Sequence, residues 1–267
     1  MSVIETGSVE LSFQRSGSGP PLLLIMGMSG TAMHWGEPFL EPLRAEFEVI
    51  TYDHRGVGLS GRVEAPFTIA DLAGDAAALL DALEVDSAHV LGISMGGMIA
   101  QELALARPKS IRTLAIGCTY CGGEGSSLTS QAVMEKLAGG MMSGELELAL
   151  RSAWEANVSA DFARDAGLYD AFRAIGLEHS VALAVIMEQM RAIAGHDTSE
   201  RLSILQMPTL IIHGTEDQML PVANAYVLQQ RLPHARLEIL EGVGHLFFWE
   251  RPERSAELIS EHALAHV

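Results

Sequence analysis

Short aliphatic runs alternate with Ala- and Leu-rich stretches along most of the chain. Residues 9–15 carry the period-two alternation of a half-buried strand, and residues 16–21 supply a Gly- and Pro-rich turn. Residues 22–26 form a continuous apolar run, the pattern of a strand covered on both faces. Residues 49–52, 89–93, 113–116 and 209–212 repeat it, and residues 236–240 are strand-like too. Residues 69–83, 95–106 and 223–232 read as helices, the last two ending before Pro108 and Pro233. Buried strands alternating with helices predict an α/β fold, a mostly parallel twisted sheet with helices on both faces.

One interval breaks the alternation. Between Gly122 and Met207 nothing reads as a buried strand, and amphipathic helices are predicted near 131–138, 145–156 and 182–193. The interval holds twelve acids and six bases and is too long for a loop. It reads as a helical cap (122–207) inserted between two strands of a core built from residues 1–121 and 208–267.

Charge narrows the class. Acids outnumber bases 34 to 17, a formal −17, so neither nucleic acid nor an anionic membrane surface is an expected partner. The first residues, MSVIETGSVELSF, have neither the basic nor the apolar region of a signal peptide, and no apolar run approaches a bilayer span. A cytoplasmic protein is expected, its oligomeric state open. Cys118 and Cys121 cannot build a disulfide scaffold or a zinc site and read as structural. No P-loop, dinucleotide fingerprint or metal-ligand helix is present, so neither cofactor nor metal is expected.

The most informative segment is Gly92-Ile93-Ser94-Met95-Gly96, a G-x-S-x-G pattern between a predicted strand and a predicted helix. A sharp strand-to-helix turn crowds the positions two before and two after the bend, which Gly92 and Gly96 permit. Gly97 would let the helix approach the sheet. Ser94 would stand at the sheet's carboxyl edge beside a helix N-terminus, which favours developing negative charge.

A serine hydroxyl needs an adjacent base, itself oriented by a carboxylate. Among ten histidines, His245 stands out on the Gly242-Val243-Gly244 loop after a strand and before the last helix. His234, His262 and His266 lie in polar stretches and read as solvated; His213 reads as bonding nearby backbone. Glu216 and Asp217, just past strand 209–212, are the candidate acids. Acyl transfer also needs donors for the oxyanion, each worth about 3 kcal/mol. The backbone N–H groups of Met95, after the nucleophile, and of Met28, in Met26-Gly27-Met28, are the candidates.

Together these motifs resemble the α/β-hydrolase superfamily, in its serine-nucleophile branch. Asp53-His54-Arg55-Gly56-Val57-Gly58-Leu59-Ser60 is a further motif similar to the family's, with Asp53 and Arg55 structural. The His213-Gly214-x-x-Asp217 spacing matches the family's acid, selecting Asp217 over Glu216. Met26-Gly27 departs from the family's usual His-Gly, a histidine that supports the loop. Relatives that open carbon–halogen bonds or epoxides carry aspartate at the elbow, so the resemblance excludes that route. Within the family the chain resembles enol-lactone hydrolases, cofactor-free haloperoxidases and, by its 25–28 and 118–123 stretches, aclacinomycin methylesterases.

The resulting expectation is a serine hydrolase of a carboxylic ester, with Ser94, Asp217 and His245 as the triad. Met26, Met28, Met33, Met95, Met98 and Met219 fall near the presumed site, pliable apolar side chains suited to a neutral, moderately hydrophobic small molecule or to core filling. Gly27, His34, Trp35, Met219 and Leu246 are the expected substrate contacts, with Phe247, Phe248 and Trp249 as further apolar candidates. Alternatives are a lactonase, perhydrolase or carbon–carbon bond hydrolase on the same triad, or a hydrolase-like receptor that keeps the pocket without turnover.

Overall fold

Leu22 and Leu24 pack on one face of a sheet and Leu23 and Ile25 on the other, which is why their run is apolar throughout. The computed structural model describes residues 1–7, 9–63, 66–232 and 234–266. The chain opens with β1 (Ser2–Glu5), β2 (Glu10–Gly17) and β3 (Pro21–Ile25). After α1 (Glu37–Arg44) come β4 (Glu48–Tyr52), α2 (Ile69–Ala82), β5 (Ala88–Ile93), α3 (Met95–Ala106) and β6 (Ile111–Gly117). Four helices follow: α4 (Gln131–Met142), α5 (Leu146–Asn157), α6 (Ala166–Glu178) and α7 (Leu183–Ala194). The core resumes with β7 (Thr209–Gly214), α8 (Ala223–Arg231), β8 (Ala235–Leu240), the one-turn α9 (Phe247–Glu250) and α10 (Pro252–Leu264).

Among the described residues eight strands form one sheet in the order β1-β2-β4-β3-β5-β6-β7-β8. β1 and β2 pair antiparallel, as do β2 and β4, and every other pairing is parallel. α2, α3 and α8 bury apolar residues on one face, α1 and α10 on the other. This is the α/β-hydrolase fold.

The predicted strands and helices fall on observed ones with ends shifted by a few residues, and β1, α1, α6 and the one-turn α9 come as additions. β1 is short and mostly exposed, so it carries no apolar signature. α6 is interrupted by Gly167 and Gly176, but its Asp165 N-cap accepts from Gly167 and Leu168 N–H at 2.9 and 3.1 Å. Pro233, read as the stop of the penultimate long helix, lies outside the described residues. His262, read as solvated, is instead buried, its Nε2 3.3 Å from the Pro208 carbonyl oxygen. It lies on the inward face of amphipathic α10, which its charged neighbours Glu257 and Glu261 obscure in the sequence.

Candidate active site

Ser94 has φ 56° and ψ −122°, a backbone conformation that L residues avoid, at the junction of β5 and α3. The two flanking glycines are required by contact: a Cβ on Gly92 would strike the Gly96 carbonyl oxygen, and one on Gly96 the Ile25 carbonyl oxygen. A Cβ on Gly97 would come 2.7 Å from the Thr119 side chain, so this glycine sets the approach of α3 to the chain leaving β6. The Ser94 N–H donates to the Gly117 carbonyl at 2.9 Å, and Thr119 Oγ1 donates to the Ser94 carbonyl at 2.7 Å. The elbow is thereby pinned to the end of the neighbouring strand.

Asp217 follows β7 at the same carboxyl edge and is buried. Its Oδ1 accepts the N–H groups of Met219 and Leu220, each at 2.9 Å. Its Oδ2 lies 2.8 Å from His245 Nδ1 and 3.0 Å from His213 Nε2. Burial opposes the carboxylate charge, but the nearby His245 charge and the hydrogen bonds from both imidazoles outweigh it and hold the carboxyl well below its usual range. With Nδ1 engaged, Nε2 is the ring nitrogen of His245 left for proton transfer. Among the described residues no hydrogen bond joins Ser94 Oγ to His245 in this conformation.

Cys118 bridges the two halves of the site. It follows Gly117 at the end of β6 with φ 44°, and its N–H donates to the Ile212 carbonyl at 2.9 Å. Its Sγ, an Asp217 oxygen and a His245 nitrogen lie within 4.8 Å of one another. Burial, then the Asp217 charge, push the Cys118 thiol well up, so it stays protonated and unreactive. The 2.8 Å between Asp217 and His245 is a direct hydrogen bond, and a cation between them would have to part it.

Across from Asp217 and His245 lies the loop after β3. A Cβ on Gly27 would come 3.2 Å from Ser94 Cβ and 3.7 Å from Oγ, so this loop runs against the serine. Among the described residues the Met28 N–H has no hydrogen-bond partner. Met95 is the first residue of α3, where the helix offers its N–H no partner. The loop's shape is held from outside. His54 Nε2 contacts the Met26 carbonyl at 2.8 Å. Asp53 Oδ1 accepts the Ala32 N–H at 2.8 Å, and Arg55 pairs with Asp75, so both act structurally as read. Ser29, at φ 57°, donates its N–H at 2.9 Å to Oε1 of Gln189, a fully buried side chain of α7.

The expected substrate contacts separate. Gly27 faces Ser94; Met219 and Leu246 are partly buried beside Asp217 and His245. His34 closes a turn onto the Thr31 N–H (3.0 Å) and sets its ring edge-on to Phe172 of α6, 5.8 Å between centroids. Trp35 is a correction: it lies wholly in the core between Phe39 and Phe248, at 5.6 and 4.8 Å, and lines no pocket. Phe247, Phe248, Met26, Met95 and Met98 are core as well, while Met33 is exposed. Trp249 anchors, donating Nε1–H to the His34 carbonyl at 2.7 Å.

The helices between β6 and β7 touch three places along this edge. α7 reaches the Ser29 loop through Gln189, α6 reaches His34, and Asn157 at the end of α5 accepts the Leu246 N–H at 2.8 Å. Trp154, Val158, Tyr169 and Phe172 form their own apolar cluster, against which Leu246 and Trp249 pack. His213 bonds nearby backbone as read, 2.7 Å from the Leu220 carbonyl, but sequence inspection missed its 3.0 Å approach to Asp217, four residues on. Inspection also missed Gln189, a lone polar residue on an apolar helix face with no signal of its own.

The chain belongs to the alpha/beta hydrolase fold family, whose model matches residues 20–252. It is 30% identical over 262 residues to RutD of Azorhizobium caulinodans, a provisionally named carbamate hydrolase, covering 95% of this chain and 94% of that one. It is also similar to 3-oxoadipate enol-lactonase 1 of Acinetobacter baylyi, 28% identical with 94% and 91% covered. Among solved structures, a hydrolase from Pseudomonas aeruginosa superposes with a TM-score of 0.84 at 27% identity, covering 98% of this chain and 97% of that one. The enol-lactonase from Burkholderia xenovorans shares the fold with a TM-score of 0.86 at 22% identity, covering 98% and 100%. The protein is therefore an enzyme of the hydrolase type. No helix among the described residues is long and apolar enough to cross a membrane.

Proposed function

We propose that this enzyme is a cytoplasmic serine hydrolase that cleaves a carboxylic ester of a neutral, moderately hydrophobic small molecule through an acyl-enzyme. The observation that carries the reading is the 2.8 Å Asp217–His245 bond at the same sheet edge as the strained Ser94, with unpaired backbone donors beside the serine. His245 Nε2 takes the Ser94 proton as Oγ attacks the carbonyl. The Met28 and Met95 N–H groups receive the oxyanion, which turns preorganised backbone dipoles into transition-state stabilisation. His245 then protonates the leaving alcohol, and water activated by the same nitrogen releases the acid. Serine–imidazole bonds of this chemistry tighten as substrate binds. Residues 122–207 act as a cap domain over the site, and Met28, Met219 and Leu246 supply apolar walls.

A lactone, an internal ester, is the second reading, favoured by the similarity to 3-oxoadipate enol-lactonase 1. Neither reading needs a cofactor. A panel of esters, lactones, thioesters and carbamates assayed beside Ser94→Ala and His245→Ala tests both. The expected losses in kcat are roughly 10⁴–10⁶-fold for either variant. Undiminished ester turnover by purified Ser94→Ala would overturn the proposal, and carbamates outrunning esters would replace its substrate class.

A further inference from the structure

Glu250 is buried in α9, five residues after His245, and no described cation pairs with it. Among the described residues its carboxylate is met by hydrogen bonds alone. Oε1 accepts two backbone N–H groups at 2.8 Å, one from Gly244 and one from Ser159, while Oε2 accepts the Ser159 hydroxyl at 2.5 Å. Gly244 immediately precedes His245; Ser159 immediately follows Val158, beyond the end of α5. One carboxylate oxygen thus holds the histidine loop and the helical segment together.

The other side of His245 is tied to the same place. The Leu246 N–H donates to the Asn157 carbonyl at 2.8 Å. Gly244 has no room for a side chain, since a Cβ there would meet Ser159 N and Val158 C at 2.6 Å. Both neighbours of His245 are therefore docked on residues 157–159. His245 bonds Asp217 through Nδ1, but its backbone is placed by the end of α5.

We propose that Glu250 is a positioning residue that couples the seating of residues 122–207 to the placement of His245, so that the base is aligned only while Asn157–Ser159 is docked. The inference rests on His245 being the base. Lifting the segment at Ser159 strips Oε1 of one donor and Oε2 of its only one, leaving a buried carboxylate under-satisfied and the Gly244–Leu246 loop loose. An opening motion that admits substrate would switch off the base, and closure would restore it.

The test uses p-nitrophenyl acetate, small enough to need few contacts with the helices. Glu250→Ala is expected to lower kcat by about 100-fold, the order of loss for a displaced catalytic group, with KM changed by less than about threefold. Glu250→Gln should restore kcat to within about threefold of wild type, because its Oε1 can accept both backbone N–H groups while Nε2 donates to the Ser159 hydroxyl. A folded Glu250→Ala with wild-type kcat overturns the proposal, as does a folded Glu250→Gln as impaired as Glu250→Ala. Hydrogen exchange of Ser159→Ala reads the coupling without activity: peptides covering 157–162 and 243–249 should both exchange faster. Unchanged exchange at 243–249 overturns the proposal. This second measurement decides it if Glu250→Ala fails to fold. It also decides the coupling if wild type proves to have no Ser94-dependent ester turnover, an outcome that sinks only the reading of function.

Discussion

His213 and His245 meet on one atom: His213 Nε2 lies 3.0 Å and His245 Nδ1 2.8 Å from Oδ2 of Asp217. His213 also contacts the Leu220 carbonyl through the same nitrogen at 2.7 Å, so its ring is fixed between the acid and the chain leading into α8. The Asp217 carboxylate, the proposed partner of the base, is itself oriented, by one imidazole and two backbone N–H groups.

Removing that support should misalign the acid without removing it. His213→Ala is expected to lower kcat on an ester by about 10–100-fold with KM little changed, the worth of a hydrogen bond to a charged group. Steady-state kinetics at neutral pH checks it, and a wild-type kcat in a folded variant would show that Asp217 needs no second imidazole.

The glycines predict two different failures. A Gly96→Ala methyl would collide with the Ile25 backbone carbonyl, which cannot rotate away, so the cost should fall on folding: a loss of about 2 kcal/mol or more of stability, read by denaturant titration. A Gly27→Ala methyl meets chiefly the Ser94 side chain, at 3.2 Å from Cβ and 3.7 Å from Oγ, with the Ile93 carbonyl oxygen at an ordinary contact distance of 3.4 Å. Its cost should fall on kcat, by roughly tenfold or more, with the melting temperature nearly unchanged.

The link from α7 to the loop after β3 gives a third. Without the Gln189 amide, the Ser29 N–H loses its acceptor at a left-handed position, and the neighbouring Met28 donor loses its fixed direction. Gln189→Leu should lower kcat by roughly 3–30-fold while sparing KM for a small ester. Equal kcat would assign Gln189 to packing alone.

Acid should destabilise the fold through its buried histidines. His89, His196 and His262 are buried, and burial, as the foremost cause, lowers each pKa to about 4. Between about 6.5 and about 4 the unfolded chain binds protons that the folded chain refuses. Stability is therefore fully present above that window and falls as pH drops through it. Among the described residues neither ring nitrogen of His196 has a hydrogen-bond partner, so His196→Phe should raise the melting temperature more at pH 5 than at pH 8. An equal shift at both values would contradict it.

Much of this was legible in the sequence for a physical reason. Strands buried on both faces must be apolar at every position, and a strained elbow must have Gly92 and Gly96 around Ser94, so composition alone betrays both. Asp217 could be chosen over Glu216 only through its resemblance to a family spacing; the structure buries Asp217 and leaves Glu216 exposed. Contacts across long sequence separations leave no such trace. Gln189 and Ser29 are 160 residues apart, and Glu250 and Ser159 are 91 apart. Trp35 was misread because a tryptophan beside the oxyanion loop looks the same whether it turns to a pocket or, as here, to Phe39 and Phe248.

The most direct test of the central claim is covalent capture of the nucleophile. Incubation with an alkyl fluorophosphonate, which a base-activated serine attacks with loss of fluoride, should give one adduct per chain by intact mass, mapped by peptide sequencing to Ser94. Ser94→Ala should take up none, and His245→Ala should react slower by orders of magnitude. An adduct on another residue, or equal labelling of Ser94→Ala, would contradict the proposed chemistry.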